Sequence, residues 1–377
     1  MATVYFDNAA TTSLDPEVLE AMMPFLTAKF GNPSSVYSYG RETKLGIETA
    51  RKTVAKLLGV TPGEIFFTSG GTESSNMAIN CAIRDLGCKH IITSPIEHHA
   101  TLYTAENMAK AGYATLSMVN ILPNGHTDLA HLEQLLAAAE EKTLVTLMHA
   151  NNEIGNLLDI KTVGELCEKY GAILHCDMVQ TIGHYPVNLK ELKVHFASSA
   201  GHKFHGPKGV GVLYVSDEVK IKPMIYGGSQ ERNMRAGTEN LYGIIGYAKA
   251  LEKAVARYEQ DSAYIRGLKS YMIEQLKANF PDIRLNGDCE GECLYTVLNV
   301  AFHKTDKTDM LLFNLDMAGI CVSGGSACSS GASSVSHVIK TLYGPEGENL
   351  VPIRFSFSHG NTREEVDYVI AKLKELV

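Results

Sequence analysis

Between Glu64 and Val215 the chain repeats one pattern: a short apolar run, a polar break, then apolar residues three or four apart. "EIFFTS" opens the series as a strand, and Ile79, Ala82, Ile83 and Leu86 give the segment after it a helical face. "KHIITS", "ATLSMVNIL", "TLVTLMHANN" and "AILHCDMVQ" repeat the strand signal, while "LAHLEQLLAAAEE" and "IKTVGELCEKYG" supply helices between some of them. This alternation predicts an α/β fold built on a mostly parallel sheet with helices on both faces. Upstream, Ile47, Ala50, Val54, Leu57 and Leu58 line one face of a helix that Gly59 closes.

After Leu241 the period changes. Ile244, Ala248, Leu251, Val255, Tyr258, Ile265, Leu268, Met272 and Leu276 recur at helical spacing without a proline. The spacing predicts one long helix, or two nearly continuous ones, leading from one domain to the next. Beyond it "YTVLNVAF", "ICVSG" and "PIRFSFS" read as strands, with a helix before Ile320 and a last one through Val366, Val369, Ile370 and Leu373. We therefore expect a large α/β domain over residues 14–256 and a smaller α+β domain made of residues 1–13 and 257–377.

Composition narrows the function classes. The chain has 377 residues, 45% apolar and 20% charged, enough for two domains with their own cores. A net charge of −8 argues against a nucleic-acid or membrane-surface partner. The N-terminus lacks a basic region followed by an apolar stretch, and no run is long enough to span a bilayer, so a cytoplasmic location is expected. The eight cysteines form no Cys-x-x-Cys pair. "CEGEC", from Cys289 to Cys293, has no second Cys or His pair at zinc-finger spacing, so these thiols read as structural or incidental.

The chemistry collects where predicted strands end, which is where α/β sheets bind ligands. "FFTSGGTESSN" is a strand, a glycine turn and a helix start, a pattern that cradles phosphate on free N–H groups or simply caps a helix. "HCDMVQ" ends a buried strand on Asp177, with Gln180 three residues on, and a buried carboxylate needs a donor or cation. "HANNEIG" ends another on Asn151 and Asn152, and "SPIEHHAT" presents Glu97, His98 and His99. In "SSAGHKFHGPKGVGVLYV" Lys203 stands between Gly201-His202 and Phe204-His205-Gly206, a frame that lets backbone and ligand approach closely. Taken together, a phosphate cradle, a strand-end Asp, a planar His and a framed Lys are the parts that hold pyridoxal 5′-phosphate: the lysine for a Schiff base, the Asp to keep the ring nitrogen protonated.

"SAGHKFHGPKGVG", "HCDMVQ", "MHANNEIG", "TSGGTESSN", "MRAGT" and "SGGSACSSG", in this order, resemble the cysteine desulfurases of the NifS/IscS type. These belong to the class V aminotransferase group of fold-type I pyridoxal-phosphate enzymes, and the resemblance runs from "VYFDNAATT" to the closing helix. It implies that Lys203 carries the cofactor and shuttles the substrate's α-proton. It also implies that Asp177 holds the ring nitrogen, that His98 stacks on the ring, and that Asn152 and Gln180 contact its substituents. Gly71, Thr72 and His202 would bind the phosphate, and Thr238 in "MRAGT" would reach the phosphate of a partner subunit in an obligate homodimer. Arg354 would take the carboxylate of L-cysteine, with Asn32 of "FGNPSS" nearby.

Cys328, in the Gly- and Ser-rich "SGGSACSSGASS", matches the family's catalytic cysteine. It would attack the substrate's sulfur, become a persulfide, leave alanine, and pass the sulfur to an acceptor protein. Two features depart from the family. Ala200 stands where a phosphate-donating hydroxyl is usual, three residues before the lysine. The chain also ends soon after the last helix, without the longer tail that some members use to dock iron–sulfur cluster assembly scaffolds. The same motifs suit a selenocysteine lyase or another class V lyase or transaminase, though a transaminase has no use for Cys328. An inactive sulfur-relay scaffold would not need Lys203, Asp177, His98 and Cys328 together.

Overall fold

The computed structural model describes residues 3–324 and 336–377. Its largest sheet has seven strands, in the spatial order Ile65–Thr68, Gly211–Val215, Phe196–Ala200, Ile173–Asp177, Thr143–Met148, His90–Thr93 and Thr115–Met118. Only Gly211–Val215 runs antiparallel to its neighbours. Every residue of Thr143–Met148 and Ile173–Asp177 is buried. Central parallel strands are covered on both faces, so their sequences read as apolar runs rather than as alternation. The α/β fold expected from the repeat is the one observed.

The helices begin and end where local chemistry dictates. Asp128 and Asp159 accept backbone N–H groups at the starts of Leu129–Ala137 and Ile160–Tyr170. Gly171, at φ 65°, closes the second of these. The long helix is continuous from Leu241 to Asn279. Its first half packs on the core of the large sheet through Ile244, Tyr247 and Leu251. Its second half packs on another core through Ile265, Leu268, Met272 and Leu276.

That second core covers an antiparallel sheet of Arg284–Leu285, Val297–His303 and Leu350–Ser356. Val4 and Phe6 join it from the N-terminus. Val4–Tyr5 pairs in parallel with Ile320–Cys321, so the first residues of the chain lie against its last third. The strand read from "ATLSMVNIL" contracts to Thr115–Met118, the far edge of the large sheet. Helices Pro16–Thr27, His99–Lys110 and His337–Tyr343 also form. Among the described residues no helix is long and apolar enough to cross a membrane.

Candidate active site

A cavity of about 230 Å³ opens at the carboxyl ends of the parallel strands. It is lined by Gly71, Thr72, His98, Asn152, Asp177, Gln180, His202, Lys203 and Arg354. Six segments far apart in sequence thus deliver these side chains to one place. Ala200 lines it as well.

Gly71 begins the helix Gly71–Arg84, so the N–H groups of its first turn face the cavity end. A Cβ on Gly71 would come within 2.6 Å of Val179, so only glycine leaves this corner open. Asp177 ends its strand 6% exposed and accepts a hydrogen bond from the Val179 N–H at 3.0 Å. Burial pushes its carboxyl up to about 6, and nearby Lys203 pulls the other way. Gln180 donates to the Ala9 carbonyl at 3.1 Å.

His98 is the N-cap of His99–Lys110, and its Nδ1 accepts the Ala100 N–H at 3.1 Å. That bond requires Nδ1 to be unprotonated, so the neutral ring carries its proton on Nε2. Burial, reinforced by Lys203, pushes the imidazole down to about 4. His202 is likewise pushed down to about 4, chiefly by burial. Both rings are neutral near pH 7.

Lys203 follows the strand Phe196–Ala200 in a single tight turn, Gly201–Lys203. Its ammonium donates to the carbonyls of Ala9 at 2.6 Å and Ala10 at 2.9 Å. Sequence reasoning missed these two carbonyls. Their segment has no period, and its signal is the run of small residues in "DNAATT". A Cβ on Gly206 would meet the Gly201 carbonyl oxygen at 2.7 Å, so the glycine frame serves close backbone packing behind the lysine.

Arg354 enters from the smaller sheet, 1% exposed. It pairs with Asp7 at 2.7 Å and donates to the Asn152 carbonyl at 2.9 Å. Among the described residues its Nε has no hydrogen-bond partner, and only two of its five N–H donors are engaged, so the guanidinium can still meet an incoming acceptor. Asp7 was also missed. The Ser323 hydroxyl donates to the same Asp7 oxygen at 2.9 Å, and Ser323 and Arg354 are bridged backbone to backbone. Ser336, the next described residue in sequence after Gly324, donates to Glu153, next to Asn152. Cys328 itself lies outside the described residues.

Two expected residues do not line this cavity. Asn32 is exposed, and its Oδ1 accepts the Ser34 N–H at 2.9 Å, which holds the side chain in its own turn and not beside Arg354. Thr238 is exposed at the edge of a separate hollow with Ser69 and Arg235. The hydroxyl missing at Ala200 is not supplied by the serines before it. Ser199 hydrogen-bonds Tyr247 at 2.5 Å, and Ser198 bonds His175 at 2.9 Å beneath the sheet.

The class-V aminotransferase family model matches residues 4–369. A cysteine desulfurase IscS of Dictyoglomus turgidum is 43% identical over 377 residues, covering 99% of this chain and 94% of that protein. One from Methanosarcina thermophila is 43% identical over 378 residues, covering 99% and 92%. Among solved structures, a NifS-like protein matches with a TM-score of 0.91 at 38% identity, covering 99% of this chain and 98% of its own. A structure of SspA in complex with cysteine matches at 0.80 and 28% identity, covering 96% and 100%. The cavity and the similarity agree: the chain belongs to the class-V aminotransferase family, among the cysteine desulfurases of the NifS/IscS type.

Proposed function

We propose that the chain is a homodimeric cysteine desulfurase of the cytoplasm. It uses pyridoxal phosphate to convert L-cysteine to L-alanine and passes the sulfur through Cys328 to an acceptor protein. The observation that carries this reading is the meeting of Lys203, Asp177, His98 and the bare helix start at Gly71 in one cavity.

The residues present fit the cofactor. Asp177 is a buried carboxylate with no guanidinium or ammonium hydrogen-bonded to it among the described residues, as a partner for a protonated ring nitrogen should be. Gly71, Thr72 and His202 surround a helix N-terminus suited to a phosphate. Asn152 and Gln180 stand ready for the ring substituents, and the neutral face of His98 for the ring. When bound, pyridoxal phosphate supplies an electron sink for the bonds at the substrate's Cα.

The chain's own residues do the rest. Arg354, fixed by Asp7 and the Asn152 carbonyl, binds and orients the carboxylate of L-cysteine. Lys203, released from the Ala9 and Ala10 carbonyls, removes the proton at Cα and returns one to form alanine. His98, neutral and fixed by the Ala100 N–H, assists proton movement at Nε2. The Cys328 thiolate attacks the substrate's sulfur and an S–S bond forms. The substrate's Cβ–S bond breaks with its electron pair going to carbon, which takes a proton on the way to alanine. Cys328 becomes the persulfide that meets the acceptor.

The dimer reading rests on exposed apolar side chains: Phe30, Val36, Tyr37, Leu45 and Tyr226 are each more than half exposed. Exposed Asn32 stands between Phe30 and Val36 in the chain. Glu231, Arg232 and Asn233 adopt positive φ, and buried Arg51 clamps Glu231 at 2.7 and 2.8 Å. This turn leads to exposed Thr238, which we assign to the partner copy's phosphate, with Asn32 reaching the substrate across the dimer interface. The two cores support a cofactor-binding unit over 14–256 and a second unit, of 1–13 and 257–377, that carries the Cys328 segment.

Borohydride reduction of the holoenzyme tests the assignment. The cofactor should become fixed to the peptide containing Lys203; attachment to another lysine, or none, overturns it.

A further inference from the structure

Away from the active site, a hollow of about 360 Å³ opens beside the second half of the long helix. It contains both cysteines of "CEGEC": Cys289 is 5% and Cys293 4% exposed. Across from them, the helix contributes Arg266, Lys269 and Glu274. Lys269 is itself only 4% exposed. Its ammonium donates to Cys293 Sγ at 3.0 Å and to the Leu294 carbonyl at 3.3 Å, and among the described residues no carboxylate pairs with it.

A buried ammonium that meets only neutral acceptors is costly. An alkyl side chain would fill the same space without that cost. The cation stands instead where negative charge would form on Cys293 if its proton left. The proton has a defined place, since the thiol donates to the Cys289 carbonyl at 3.2 Å. Sulfur, its proton and a stabilising cation are thus arranged around a hollow that a small molecule can enter.

The charges lining the hollow have both signs. Arg266 and Lys269 are cationic, Glu274 and Glu290 anionic. Such a lining suits a molecule that carries both an ammonium and a carboxylate. Arg266 lies over the ring of Tyr295, 5.2 Å from its centroid, at one side of the hollow.

We propose that this hollow is a modification site at which Cys293 undergoes thiol–disulfide exchange with a small zwitterionic disulfide, the oxidised form of an amino-acid thiol, such as cystine. The Sγ–H bond of Cys293 breaks and Sγ bonds to one sulfur of the disulfide. The S–S bond of the disulfide breaks, and the departing sulfur takes the proton. One mixed disulfide and one free amino-acid thiol result, with the disulfide itself as the oxidant. Lys269 stabilises the charge on Sγ as the proton leaves. The site uses none of the residues of the catalytic cavity, so it stands or falls independently of the desulfurase reading.

Among the described residues, Cys167 and Cys176 have no cation donating to their sulfur. Cys167 and Cys176 lie in the apolar core of the large sheet, where burial pushes Cys167 up to about 12 and Cys176 well above its ordinary value. Burial likewise pushes Cys289 up to about 11.

The test is to incubate the holoenzyme with cystine, quench in acid, and map the tryptic peptides. The peptide spanning residues 285–304 should gain half a cystine at Cys293 roughly tenfold faster than Cys88, Cys167 or Cys176 react. Lys269→Met should slow that adduct roughly tenfold while the cofactor spectrum stays unchanged. Cys293→Ser should remove it and leave desulfuration intact. An uncharged disulfide, bis(hydroxyethyl) disulfide, should react more slowly than cystine. Absence of the adduct, its appearance on Cys289 instead, or an unchanged rate in folded Lys269→Met overturns the exchange site. Equal rates for the two disulfides overturn the zwitterion preference.

Discussion

The two walls of the active-site cavity are built on opposite electrostatic plans. Apart from the Lys203 ammonium, the wall from the large sheet holds groups that burial keeps neutral or only weakly acidic: His98 and His202 are pushed down to about 4, and Asp177 up to about 6. The wall from the smaller sheet holds a permanent charge, Arg354, already paired with Asp7. A wall of depressed bases and raised acids gains most from a ligand that brings its own charges, as a phosphate and a protonated ring do. The paired arginine instead offers a preformed positive site to a substrate carboxylate and, being 1% exposed, cannot swing away. The difference fits the proposed function, in which the cofactor belongs to one wall and the substrate to the other.

Removing the large-sheet lysine should have the largest effect. Lys203→Ala should lower turnover by about 10³-fold or more, since both covalent attachment and proton transfer are lost. Assayed with L-cysteine, a residual rate within tenfold of the parent would break the division between the walls. Arg354→Gln should act on the other wall alone. We expect kcat/KM for L-cysteine to fall on the order of 10²-fold, carried by KM, with the cofactor's visible spectrum unchanged. Loss of the cofactor on dialysis of this variant would contradict the assignment.

Ala200→Ser sharpens the comparison on the cofactor side. Ser198 and Ser199 bond elsewhere, so a hydroxyl at 200 would add a donor where the cavity has none from this strand. Cofactor affinity should rise by about 1.5–3 kcal/mol, read by equilibrium dialysis. Equal affinity would mean that another donor already fills that place.

Acid should expose the same asymmetry in stability. Burial lowers His98, His149, His184 and His202 to about 4 and His175 to about 3, from 6.5. Below pH 6.5 the unfolded chain binds protons that the folded chain refuses, so this contribution is complete above 6.5 and drains away towards 4. Asp177 and Glu97, raised to about 6 and about 8, act with the opposite sign: their contribution is complete at low pH and is lost as pH rises through those values. Five imidazoles outnumber two carboxyls, so the apoprotein's melting temperature should fall by several degrees between pH 6.5 and 5. A flat melting profile over that window would contradict the neutral wall.

The sequence revealed the large-sheet wall because a buried strand is an apolar run, and the polar residue that ends it stands out. Asp177 after "AILHC" is the clearest case, and Lys203 follows the same logic one strand over. The segment from Asp7 to Thr12 has no apolar period, so nothing in it forecast that Ala9 and Ala10 would hold Lys203 or that Asp7 would hold Arg354. Those contacts span 194, 193 and 347 residues of chain and depend on the tertiary fold alone. His99–Lys110 was missed because its buried side is Thr101, Leu102, Thr104 and Ala105, too polar to mark a helical face. Asn32 differs again: within one copy its side chain accepts the Ser34 N–H of its own turn, which the motif did not forecast.

Desulfuration by this chain is tested most directly by what leaves the site when L-cysteine enters it. Holoenzyme given L-cysteine and a reducing thiol should release alanine and sulfide in equal amounts, and Cys328→Ser should bind the substrate yet release neither. Pyruvate and ammonia in place of alanine, or equal release by Cys328→Ser, would contradict it.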